Sequence, residues 1–202
     1  NVVKVKECIF KGVNVKAGKG QISAKTIEGG VTISKGNYTV VAEKVAGDIK
    51  VTGENYLSEV AVVTGNVTIN NTANTGCVLN GNKITGNLTL TGNGFGLDNV
   101  TVADVTLKEG SVKVNNTTLK NFNIEKGNAN IVDSSIAGTL TNSGTVVING
   151  ETTMKNIVNN GSLTSYVEIT VENVTLNPRS VTTLTSNGVN YDLTIWYTGD
   201  YE

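Results

Sequence analysis

Apolar residues recur along this chain at a nearly constant step, and that step restricts the fold more than any other feature. An apolar residue, one spacer and a second apolar residue occur at Val13/Val15, Val31/Ile33, Ile49/Val51, Val67/Ile69, Leu88/Leu90, Val105/Leu107, Phe122/Ile124 and Val174/Leu176. Two further repeats keep the first member, Leu140 and Ile157, and place Asn142 and Asn159 second; successive first members lie 17, 18 or 21 residues apart. A second apolar column follows 14 residues after the first, at Ile27, Val45, Val63, Val102, Leu119, Ile136, Met154 and Val171, with Ile84 displaced by three.

Between these columns lie alternating stretches such as Val112-Lys113-Val114 and Ala129-Asn130-Ile131, the period-two mark of strands with one buried face. No stretch sustains a 3.6-residue stripe, which excludes helical repeats of similar length. Stacking equivalent residues about 4.8 Å apart gives an all-β fold, a single-stranded parallel β-solenoid (β-helix) of about ten coils of 17–18 residues. The general crossover preference gives it a right-handed sense. Gly18, Gly36, Gly53, Gly92, Gly110, Gly127, Gly144 and Gly161 fall where the first strand of each coil ends, as a corner of positive φ requires.

Both ends depart from the period. Residues 1–10 alternate Val3 and Val5 with Lys4 and Lys6, the pattern of an N-terminal cap strand over the open edge of a stack. Residues 11–177 form the solenoid proper. After Pro178 the series Val181 to Thr185, Ser186-Asn187-Gly188 and Val189, Tyr191, Leu193, Ile195, Tyr197 reads as a C-terminal β-hairpin cap over residues 178–202. One domain accounts for the whole length.

Sixteen Lys and Arg nearly balance 17 Asp and Glu, so no strong field exists to attract nucleic acid or an anionic membrane. The chain has no apolar run of the length a membrane helix needs, and no signal-peptide pattern; any export signal or anchor is expected outside it. Surface polarity rests on Asn, Thr, Ser and Gly. There is no His and a single Arg, Arg179, which removes His-based triads and metal sites and leaves little to polarise an acidic substrate. The chain therefore reads as non-catalytic. Cys8 and Cys77 are three rungs apart, beyond disulfide reach unless residues 1–10 run back along the stack.

Turning Val and Ile of the first strand inward sends their neighbours outward. One outward column reads Gly30, Asp48, Asn66, Asn87, Asp104, Asn121, Thr139, Asn156, Asn173, and beside it run Asn14, Thr32, Lys50, Thr68, Thr89, Thr106, Asn123, Thr141, Val158, Thr175. Two readings are open. Asn and Thr ladders hydrogen-bond along the stack, or the flat face meets another regular surface such as crystalline polysaccharide. Under the second reading the carbohydrate-binding residues are Asn66, Thr68, Asn87, Thr89, Asp104 and Thr106, with Trp196 of the hairpin as a further exposed aromatic contact. Tyr38, Tyr56 and Phe95 lie seven residues after the first inward position, in a column with Val112, Ala129, Val147 and Val181, and are read as core.

Asp133, Glu151 and Glu168 occupy one position in three successive coils, after Asn99 and Asn116 in the two before. Such a stack is either solvated charge at a corner or a site where Ca²⁺ offsets the repulsion. No other cofactor is called for.

The phrases G-N-V-T-I and D-N-V-T-V, at Gly65 to Ile69, Gly86 to Leu90, Asp98 to Val102 and Glu172 to Leu176, resemble the parallel β-helix repeats of Gram-positive surface proteins, S-layer-associated ones included. The tāpirins are similar in architecture, and that likeness implies attachment to cellulose-like polysaccharide. A weaker resemblance to bactofilins implies a polymer. The resulting expectation is a secreted, cell-surface adhesive module whose partner is a polysaccharide surface. The alternative is a structural subunit of an extracellular filament or surface layer, whose partners are identical subunits, and a polysaccharide-active enzyme is a distant third.

Overall fold

The computed structural model describes residues 2–4, 8–72 and 76–193. Every regular element in them is a strand, and no helix is present among the described residues, so none crosses a membrane. Consecutive turns of the chain stack in parallel. The register runs Val13, Val31, Ile49, Val67, Leu88, Val105, Phe122, Leu140, Ile157, Val174, one residue above the next. These ten positions define coils one to ten of a parallel β-solenoid. The second apolar column is equally continuous, from Phe10 and Ile27 through Val45, Val63, Ile84, Val102, Leu119, Ile136 and Met154 to Val171.

Each coil has three faces, illustrated by coil six. Val105 and Leu107 point inward from the first face, Val112 and Val114 from the second, and Leu119 from the third; all five are buried. The first corner is Gly110, with φ of 111°, and the second is Asn116, with φ of 45°. Asn99 and Asp133 take the same left-handed conformation at the second corner of their coils, where Asn and Asp are the favoured non-glycine residues. The core is one stack of Val, Ile, Leu and Phe running the length of the molecule.

The inward column of the second face differs from its expected membership. Phe95, Val112 and Ala129 are inward, but the next members are Val146 and Leu163. Val146 is fully buried, whereas Val147 turns outward. The first face advances 18 residues from Phe122 to Leu140 while the second advances 17 from Ala129 to Val146, so a fixed offset from the first face slips by one. The same slip exposes Tyr56 at 41% and Val181 at 53%. Tyr56 pairs with Thr39, and Asn55 fills the inward place, accepting the Tyr38 N–H at 3.1 Å.

Asn142 and Asn159 sit at inward positions with no exposure, and their polar atoms are fully occupied. Asn142 Nδ2 donates to Asn159 Oδ1 and to the Ser162 carbonyl, both at 2.9 Å, while its Oδ1 accepts the Gly144 N–H at 2.9 Å. Asn159 repeats the pattern towards Thr182 Oγ1, the Val181 carbonyl and Gly161 N–H. Coil four is longer than its neighbours, yet Asn70 pairs with Thr91 and Val78 with Gly96. The extra residues therefore leave the stack at the first corner.

At the N-terminal end Val2–Lys4 and Ile9–Phe10 pair in parallel with Lys19–Ile27, making an incomplete further rung. At the other end Val181–Ser186 turns through Asn187 and Gly188, both of positive φ, into Val189–Leu193 as an antiparallel hairpin. This is the Asn-Gly hairpin turn that strand twist favours.

Candidate functional site

The first face presents the outward column Asn14, Thr32, Lys50, Thr68, Thr89, Thr106, Asn123, Thr141, Val158, Thr175 in unbroken register. Thr68, Thr89 and Thr106 are half-buried by their neighbours above and below. Their hydroxyls make no hydrogen bond within the described residues. β-Branching holds each side chain near one rotamer, so the hydroxyls stand at fixed intervals of about 4.8 Å.

The adjoining Asx column is a ladder along the stack, and the residue before each rung sets its form. Where glycine precedes, the backbone N–H is capped from the coil before: Asn66 N–H by Asp48 Oδ1 at 2.8 Å, Asn87 N–H by Asn66 Oδ1 at 2.9 Å, Thr139 N–H by Asn121 Oδ1 at 3.0 Å. A Cβ at Gly65, Gly86 or Gly138 would stand 2.4, 2.6 or 2.3 Å from that oxygen. Only glycine admits the cap. Where Lys120, Lys155 or Glu172 precedes, side chain meets side chain instead: Asn121 Nδ2 donates to Asp104 Oδ1 at 2.8 Å, Asn156 Nδ2 to Thr139 Oγ1 at 3.4 Å and Asn173 Nδ2 to Asn156 Oδ1 at 2.9 Å. Of the six first-face residues, Asn66, Asn87 and Asp104 are thus tied into the stack, and Thr68, Thr89 and Thr106 are the ones left to meet a partner. Trp196 lies outside the described residues.

Asp133, Glu151 and Glu168 line the second corner of successive coils. Asp133 Oδ1 caps the Glu151 N–H at 2.9 Å across Gly150, the same glycine device. Glu168 Oε1 accepts from the Asn187 N–H at 2.5 Å and the Ser186 hydroxyl at 3.4 Å, tying the corner to the hairpin turn. No group of three or more acidic, Cys or His side chains poised around a metal position occurs among the described residues.

The third face carries an outward hydroxyl column that the sequence reading passed over. Thr101, Thr118, Ser135, Thr153 and Thr170 stand in one register, each one residue before the second apolar column. Their spacing was the available signal. On the second face a shallow depression of about 550 Å³ lies over Phe95, Val112 and Ala129, edged by Ser111, Lys113 and Asn130. Cys77 is buried and donates to the Asn55 carbonyl at 2.9 Å, and burial pushes its thiol up to about 11. Cys8 is a half-buried free thiol.

No protein-family model matches the chain, and no curated protein or solved structure is significantly similar to it.

Proposed function

We propose that this chain is a non-catalytic, extracellular, cell-surface adhesive module that binds insoluble, cellulose-like polysaccharide through its first face. The observation that carries the reading is the run Thr68, Thr89, Thr106, whose hydroxyls have no partner among the described residues while the column beside them is locked by its own ladder. Such a surface loses little side-chain freedom on meeting a regular polymer. Depletion of the protein from solution by microcrystalline cellulose tests it. The wild-type chain is expected in the pellet, and the variant Thr68→Tyr, Thr89→Tyr, Thr106→Tyr in the supernatant; equal depletion of the two sinks the reading.

A second reading, assembly with identical subunits, draws on one feature. Among the described residues Ile169–Leu176 pairs only with Thr152–Asn159, and Val174 is 39% exposed, an edge open to strand addition. Monodisperse single particles at high concentration by negative-stain microscopy would rule it out.

A further inference from the structure

The third face carries a second site, which the first-face reading does not use. Depressions of about 380, 230 and 610 Å³ along this face share lining residues, Ser135 and Thr153 between the first two and Thr170 between the last two. They form one furrow parallel to the solenoid axis, crossing five rungs from Asn116 to Thr185, which makes it roughly 20 Å long. Its floor is the hydroxyl column Thr118, Ser135, Thr153, Thr170. One wall is the second corner, where Asp133, Glu151 and Glu168 follow one another at rung spacing.

Each carboxylate keeps acceptor capacity towards the furrow. Asp133 and Glu168 each use one oxygen internally, and the Glu151 carboxylate has no partner within the described residues. The wall is also stiff. Beneath it Thr117 N–H donates to Ser134 Oγ at 3.2 Å, and the Thr117, Ser134 and Thr152 hydroxyls, all on buried residues, donate to carbonyls of their own corners. Lys155 and Glu172 line the opposite side.

We propose that this furrow binds an extended glycan chain bearing protonated amino groups, its sugar hydroxyls on the Thr/Ser floor and its ammonium groups along the Asp133, Glu151, Glu168 wall. Each floor hydroxyl both donates and accepts, as a sugar hydroxyl does. The carboxylates attract ammonium and repel anionic glycans. An open furrow five rungs long suits an oligomer and gives a single sugar little enclosure.

Isothermal titration calorimetry of the folded chain with a soluble β-linked glucosamine oligomer tests this. Saturable binding is expected, weaker for the N-acetylated oligomer and for the glucose oligomer of equal length. Asp133→Asn, Glu151→Gln, Glu168→Gln together retain the oxygens that cap Glu151 and Asn187, and should weaken binding about tenfold or more. Thr153→Trp, which fills the furrow without changing its charge, should do the same. The first-face tyrosine variant should bind as wild type, so the two sites fail separately. The proposal is overturned by no saturable binding, by equal affinity of the charge-neutralised variant or the glucose oligomer, or by spermine binding as tightly as the glucosamine oligomer.

Discussion

Glycine before an outward Asx position decides which way a ladder hydrogen bond points, and the effect is open to a one-methyl test. At Gly65 an added Cβ would meet Asp48 Oδ1 at 2.4 Å and the Gly47 carbonyl oxygen at 2.5 Å. Gly65→Ala should therefore remove the cap on Asn66 N–H and lower stability by about 1–2 kcal/mol, read as a lower urea midpoint at unchanged slope. Gly110 is constrained twice, by its φ of 111° and by a Cβ position 1.8 Å from the Gly92 carbonyl oxygen. Cys77 gives a pH-dependent consequence. Its folded thiol sits near 11, above the ordinary value of about 8.5, so the folded state holds the proton more tightly than the unfolded one. That contribution is complete below about pH 8.5 and is lost as pH rises towards 11. In the native protein at pH 8, iodoacetamide should modify Cys8 and leave Cys77 intact until denaturant is added, as mass spectrometry of the peptides will show.

Strands and corners are coupled most closely where coils eight and nine replace an inward aliphatic residue with Asn. Asn142 and Asn159 bond each other and each closes its own corner by accepting a glycine N–H. Gly144 and Gly161 accordingly lack the positive φ found at Gly110 and Gly127. Asn142→Leu strands the Gly144 N–H, the Ser162 carbonyl and Asn159 Oδ1, and should cost about 2–4 kcal/mol. Asn159→Leu should cost a similar amount. The double variant should cost clearly less than the sum, because each single change already breaks the shared bond; a double-mutant cycle in urea measures this. The sequence pattern placed these residues correctly in the inward column because period-two alternation survives a change of chemistry. What it missed was offset-dependent: Val146 rather than Val147 is core, since the faces advance by different numbers of residues between the same two coils. The third-face hydroxyls were hidden for a related reason, as each sits beside a single apolar residue instead of between two.

Across the molecule, each coil touches only the coils next to it, so stability should vary along the stack. Leu88–Asp98, Thr101–Asn115 and Thr118–Ile124 are fully flanked and rich in buried side chains. Ile169–Leu176 has no fully buried residue, and Val189–Leu193 is exposed throughout. Native-state hydrogen exchange should find the amides of these last strands opening at least about tenfold faster than those of Thr101–Asn115. The whole-molecule architecture was the most legible level, since a repeat states its rule ten times over. The site was the least legible, because the sequence shows which residues face outward but not which of their polar atoms the stack has already used. Coil four, finally, bears on how such a rod could be employed. Its surplus residues depart between Asn71 and Cys77 while pairing on both sides stays in register, and the exposed Thr72 and Gly76 flank the departure point. That corner is a ready port for display, where a foreign peptide could be spliced in and carried on the outside of the rod without disturbing the stack that holds it up.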